Sequence, residues 1–208
     1  MDSGQRFLRD APVRSSSSLL GLPGLVPLNF CGDAVLKIMI FAVISAAILF
    51  VSWPSFRNWR SHGFYRFFAF ESILILFLLN VEYWFRDPFA AHQIVSWLLL
   101  IFSLFLVGQG FYLLRVAGKP EGHFENTTTL VRRGAYRYIR HPLYSSLLLL
   151  GWGVYLKYPS LVGSILVLVA TAFLLATAKA EEAENLQKFG EDYAAYMKTT
   201  KRFIPILF

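Results

Sequence analysis

Residues 137–150 read RYIRHPLYSSLLLL, so that Arg140, His141, Pro142 and Tyr144 stand where a leucine block begins. Further along, Glu181 and Glu182 stand side by side where the next apolar block gives out. These side chains have usable chemistry. A guanidinium can hold a carboxylate through two parallel hydrogen bonds, an imidazole can carry a proton near neutral pH, and a carboxylate accepts from hydroxyl or ammonium. Taken alone, each group also has a plainer account. Arginines gather on the inner side of a membrane, proline suits a first helical turn where no N–H partner is needed, and tyrosines favour interfaces. The acid pair reads equally as a solvated stretch of helix beside Lys179 and Lys188. The histidines His62, His92, His123 and His141 show no zinc spacing and there is no thiol cluster, so no metal is expected. No Gly-x-Gly-x-x-Gly follows a strand, which excludes a Rossmann site.

The elements that must position these groups follow from composition. Of 208 residues 56% are hydrophobic and 16% charged, with a mean hydropathy of +0.50, which is the balance of a membrane protein. The apolar blocks predict transmembrane helices near 34–53, 65–85, 92–114, 142–157 and 160–178, the last two joined by the tight turn Lys157-Tyr158-Pro159-Ser160. No block alternates with period two, and an open sheet cannot satisfy its backbone in lipid. The expected fold is therefore an all-α integral membrane protein of about five transmembrane helices with a C-terminal cytoplasmic helical segment. Residues 1–33, punctuated by Ser, Gly and Pro, read as a mobile or interfacial tail without a clean signal-peptide cleavage site, and 34–208 as one transmembrane domain. Cys31, the single cysteine, cannot form an internal disulfide. In the last segment Leu186, Phe189, Tyr193 and Tyr196 recur near helical spacing, with Gly190 as a break and Glu184 facing outward.

Orientation follows from Lys and Arg. With five spans, the loops 54–64 and 115–141 and the C-terminus share one side, and with Arg66 they hold 14 of the 20 basic residues, so that side is expected to be cytoplasmic. Arg6, Arg9 and Arg14 lie on the other side, far from the first span. The net charge of +7 suits membrane lipids with anionic headgroups, and nothing points to nucleic acid. Inside the spans, Glu82 reads as interfacial, whereas Glu71 either pairs with a loop arginine or lines a cavity.

GAYRYIRHPLY (134–144), a transmembrane hairpin, then Glu181-Glu182, FGEDYAAY (189–196) and RFIP (202–205) together resemble the isoprenylcysteine carboxyl methyltransferase family of integral membrane enzymes, relatives of the phospholipid N-methyltransferases. The resemblance spans residues 108–206. It implies S-adenosylmethionine as methyl donor, bound on the cytoplasmic side, and a lipophilic or membrane-embedded acceptor bearing a carboxylate or amine. Carried over by position, Tyr136, His141, Tyr144, Glu181 and Glu182 would form the cofactor pocket, with Glu182 closest, and Arg140 would hold the acceptor or assist transfer. Gly108 and Gly110, in VGQGFY, are similar to the Gly-x-Gly of phospholipid N-methyltransferases, although a glycine pair in a membrane helix is also a packing notch. The donor's sulfonium, ribose and amino-acid end call for carboxylate, cation and aromatic faces. No metal is required, because positioning supplies much of the rate. An acceptor amine would need a base, Glu182 or His141. The chain departs from the family at Asn185 and Gln187, and His123 and Glu125 in the loop could touch an acceptor headgroup. Two other classes share parts of the pattern: membrane sterol-type reductases, which bind NADPH and carry Arg-Asp-Glu where this chain has Ala180-Glu181-Glu182, and a non-catalytic membrane scaffold.

Overall fold

A computed structural model of the protein describes residues 28–57, 61–119 and 127–205. Its elements are α1 (Leu28–Ser52), α2 (His62–Asn80), α3 (Ala91–Ala117), α4 (Pro142–Tyr155), α5 (Leu161–Phe189) and α6 (Glu191–Thr199), with short 3-10 turns at Trp53–Arg57, Val81–Tyr83 and Gly134–Arg137. Among the described residues there is no strand, and Ile139 and Lys201 form an isolated parallel bridge. Residues 1–27 of the expected tail lie outside the described residues, as do His123 and Glu125. The part of the tail that is described, from Leu28, is already helix. Contacts divide the chain into 1–36 and 37–208. Of the first unit only the opening of α1 is described; everything below concerns the second.

The all-α membrane fold holds, with one correction. Among the described residues four helices are long and apolar enough to cross a membrane, and α4 is not among them. Its 14 residues give about 21 Å of rise, short of a core of about 30 Å. The apolar run from 142 to 157 is itself too short, about 24 Å if wholly helical, and the turn at Leu156–Ser160 ends it two residues sooner, with Ser160 Oγ capping α5 through Gly163 N at 3.1 Å.

α3 packs along α4 and α2 along α5 more extensively than any other pair of elements. The α3–α4 seam is built from small residues at seven-residue spacing. Ser96 Oγ donates to Gly153 O at 2.7 Å, Ser103 Oγ donates to Ser146 O at 2.8 Å, and Gly110 lies against Leu143 and Pro142, where a Cβ would stand 3.0 Å from Leu143 Cδ2. Small residues let the backbones approach, and the hydroxyls find acceptors that lipid cannot offer. The pairings run antiparallel and place the start of α4 opposite Gly110, so the last seven residues of α3 project about 10 Å beyond it. Leu76, Leu100, Val154 and Val167 form one buried cluster, and Ala69, Tyr144, Leu174, Ala178 and Phe203 the next along α5. The 29-residue α5 also outruns α4, so a recess floored by the start of α4 opens between the projecting ends.

On α1, Ser45 Oγ donates to Glu71 Oε1 at 2.9 Å. Among the described residues that hydroxyl, and no loop arginine, is the hydrogen-bond partner of the intramembrane carboxylate. Glu82, 61% exposed, is ion-paired with Lys37, in keeping with an interfacial position.

Candidate active site

Two turns bring the side chains to the recess. Gly134 has φ +57, which favours glycine, and opens the turn that buries Tyr136. His141 then precedes Pro142, the first residue of α4, so the imidazole sits at the floor of the recess. The C-terminal strap folds back over both. Lys201 N donates to Tyr138 O at 3.1 Å, Arg140 N to Lys201 O at 2.8 Å, His141 N to Arg202 O at 3.2 Å, and Ser145 Oγ to Phe203 O at 2.8 Å. Gly190, with φ +55, breaks α5 from α6 as its position in the sequence suggested. The break swings Tyr193 and Tyr196 inward, and Tyr196 Oη donates to Tyr136 O at 2.5 Å.

The adjacent acids take different positions. Glu182 is buried, its side chain 6% exposed, and its carboxylate accepts from Arg140 Nε at 2.8 Å and from Arg202 Nη2 at 2.6 Å and Nε at 3.1 Å; His141 Nε2 lies 3.4 Å away. Glu181, 32% exposed, faces the recess, with Oε2 3.8 Å from His141 Nδ1. The imidazole thus stands between two carboxylates and stacks on Tyr144, with 5.4 Å between ring centroids. Arg140 donates through Nη1 to the carbonyls of Met197, at 3.2 Å, and Thr200. Its Nη2 has no hydrogen-bond partner among the described residues, and the residue lines the pocket.

The half-open pocket holds about 680 Å³ of atom-free space counting its mouth, and is lined by Tyr136, Tyr144, Tyr193 and Tyr196, by Glu181, Asn185, Arg140 and His141, and by apolar residues including Leu114, Leu143 and Phe189. Burial, and secondarily the Glu181 carboxylate, pushes the Tyr136 phenol well above its ordinary range. Burial does the same to Tyr193 and Tyr196. These rings stay neutral and present π faces and hydroxyls. Among the described residues no group of three metal-ligating side chains is gathered.

The structure brings together Tyr136, Arg140, His141, Tyr144 and Glu181 around one pocket and places Glu182, Gly108 and Gly110 outside its lining. Glu182 does not face the pocket: two guanidinium groups saturate it, and it anchors Arg140 and His141 from behind. Gly110 is a notch for α4, and Gly108 is exposed with open space around it, so neither lines the pocket. Glu184 is exposed as expected, yet Oε2 lies 2.6 Å from His62 Nδ1 and ties α5 to the start of α2. Arg202, Tyr193 and Tyr196 carry parts of the site that the motifs assigned to no role, and Asn185, read from the sequence as a departure from the family, lines the pocket. Arg202 was visible only as the first letter of RFIP.

Residues 91–192 match the family model described as phospholipid methyltransferase. That stretch of the chain is similar to this family. The family comprises integral membrane methyltransferases related to the isoprenylcysteine carboxyl methyltransferases, so methyl transfer at a membrane is the activity it carries. No curated protein matches the chain. The matched residues include the α4–α5 hairpin and both acids, whereas Tyr193, Tyr196 and Arg202 lie beyond them.

Proposed function

We propose that the protein transfers a methyl group from S-adenosylmethionine to a lipophilic, membrane-embedded acceptor at the cytoplasmic face. The observation that carries the reading is the pocket where Glu181, the spare Nη2 of Arg140 and four tyrosines converge beneath the ends of α3 and α5. These residues fit the donor. Glu181 supplies a partly exposed carboxylate for hydroxyls or an ammonium, Asn185 adds a neutral amide, and the tyrosine rings offer the π faces a cation prefers. S-adenosylmethionine, when bound, supplies an activated methyl on a sulfonium cation.

The chain's own work is orientation. Glu182, clamped by Arg202, fixes the Arg140 guanidinium so that Nη2 stays free for a carboxylate, whether of the acceptor or of the donor's amino-acid end. His141, held between Glu181 and Glu182, is placed to take a proton if the acceptor is an amine. Glu182 is a poor base because both its oxygens already accept from guanidinium groups, so its role is positioning. The projecting end of α3, FYLLRVA, is largely apolar and would keep the recess next to the lipid from which an acceptor would come, whereas the end of α5 is charged; the concentration of basic residues at this end supports a cytoplasmic location.

The test supplies S-adenosylmethionine labelled on its methyl group to membranes containing the protein, followed by extraction into organic solvent. Label is expected in the lipid phase, reduced at least tenfold by Glu181→Gln. Equal label from the wild type and from membranes lacking the protein would overturn the proposal.

A further inference from the structure

The charge asymmetry that fills one end of the molecule with Lys and Arg leaves three basic residues among the described residues at the other: Lys37, Arg86 and Lys157. Lys37 is ion-paired with Glu82. The other two converge on one cleft, between the α2–α3 connection and the α4–α5 turn, together with His92. This cleft belongs to the opposite end from the methyl-transfer pocket: Leu161 and Glu182 are separated along α5 by about 32 Å of helix.

The cleft is built rather than incidental. Gln93 is 1% exposed, and its Nε2 donates to Tyr83 O at 3.2 Å and Lys157 O at 3.0 Å, clasping the two connections. Tyr83 and Tyr158 stack across it with centroids 4.0 Å apart. Lys157, also 1% exposed, donates from Nζ to Gln93 Oε1 at 3.1 Å and stands 3.6 Å from the Trp97 centroid and 5.5 Å from that of Trp84. Donors outnumber acceptors. An ammonium has three N–H groups, and one protein oxygen is offered to it. The exposed Arg86 guanidinium makes no side-chain hydrogen bond among the described residues and lies 5.9 Å from the Tyr83 ring. Asp87 is the one carboxylate lining the cleft. Flanking Arg86, Phe85 and Phe89 are exposed and present apolar surface at the rim.

We propose that this cleft binds a phosphate-bearing anion of net negative charge, on Arg86, His92 and the Lys157 end of the cleft. The phosphate comes either from an anionic lipid headgroup, whose chains the exposed phenylalanines would meet, or from a soluble phosphate ester. Methyl transfer uses none of these residues, so the inference stands apart from the proposed function.

The full chain, purified in a neutral detergent, is given phosphatidylglycerol or phosphatidylcholine, and retained lipid is counted by native mass spectrometry. In parallel, glycerol 3-phosphate is titrated while tryptophan fluorescence is followed. Retention of phosphatidylglycerol at least tenfold above phosphatidylcholine, lost in the Arg86→Ala, His92→Ala double variant at unchanged helix content, is expected. Saturation by glycerol 3-phosphate at concentrations matching the lipid identifies a soluble ester as the source; binding of the lipid alone identifies the headgroup. Equal retention of the two lipids with no response to glycerol 3-phosphate would overturn the proposal, as would unchanged binding in the double variant. Both substituted residues are exposed, so the test does not depend on whether Lys157→Gln folds.

Discussion

At the scale of single residues, the adjacent Glu181 and Glu182 show how much one helical step decides. Neighbours on a helix point about 100° apart, so one carboxylate turns into a buried cluster with Arg140 and Arg202 while the other meets the pocket. Their substitutions should separate. Glu182→Gln leaves the part-buried Arg140 and Arg202 guanidinium groups without their counter-charge and should cost up to about 3 kcal/mol of stability, read as a lowered Tm. Glu181→Gln should leave Tm unchanged and weaken S-adenosylhomocysteine binding by roughly tenfold or more, the loss of a charge-assisted hydrogen bond of about 1.5–3 kcal/mol. Melts and ligand titrations on both variants check this; the reverse pattern would return Glu182 to the pocket. Arg140 and Arg137 form a second pair. Arg137 is exposed beside Tyr138, whereas Arg140 needs its fork to reach Glu182 and two carbonyls at once. Arg140→Lys should therefore lower turnover at saturating donor and Arg137→Lys should not, since an ammonium keeps the charge and loses the planar geometry. Equal rates would reduce both to topology signals. The sequence made the Arg-His-Pro-x-Tyr and Glu-Glu motifs plain, but which acid faces inward depends on the rotation of α5 against α4, and no spacing within one helix discloses that.

Among the elements, hydropathy was a sound guide to the long helices, because a bilayer core demands about 20 apolar residues of each, and a poor guide to α4. The difference matters: a short α4 between two overlong neighbours creates the recess. Its depth is fixed by the small-residue seam of Ser96, Ser103 and Gly110. Gly110→Val should overpack against Leu143 and cost roughly 1–3 kcal/mol, with ligand binding weakened as the start of α4 is displaced, whereas Gly108→Val, in open space, should do neither. Thermal melts of the two variants decide it, and equal effects would argue that Gly108 has a ligand role after all. α6 closes the pocket with Tyr193 and Tyr196, and these phenols, like Tyr136, ionise well above the ordinary 10.0. Folded-state values that are raised mean the unfolded chain releases protons first, so this contribution is full below pH 10 and is lost as pH climbs beyond it. Stability should fall more steeply above pH 10 in the wild type than in Tyr193→Phe, measured by denaturation at stepped pH; parallel slopes would place that phenol in solvent.

For the molecule as a whole, the family match ends at residue 192 while the site is finished by residues beyond it, since the strap at 201–203 bonds to 138–145 and Arg202 completes the buried cluster. Cutting the chain after Thr199 should abolish donor binding and leave helix content nearly intact, because the α2–α5 and α3–α4 packing lies elsewhere; circular dichroism with ligand titration tests this, and retained binding would make the strap dispensable. Part of the strap's role escaped motif reading for a physical reason: its three hydrogen bonds to 138–141 run backbone to backbone, and these leave no side-chain signature. The central claim is that the pocket under α3 and α5 holds a methyl donor rather than a nicotinamide. Its most direct test is a thermal melt of the purified protein with S-adenosylhomocysteine and, separately, with NADPH. At a hundredfold excess over Kd, S-adenosylhomocysteine should add about 2.7 kcal/mol of stability and NADPH none; a shift with NADPH and none with S-adenosylhomocysteine would contradict the account.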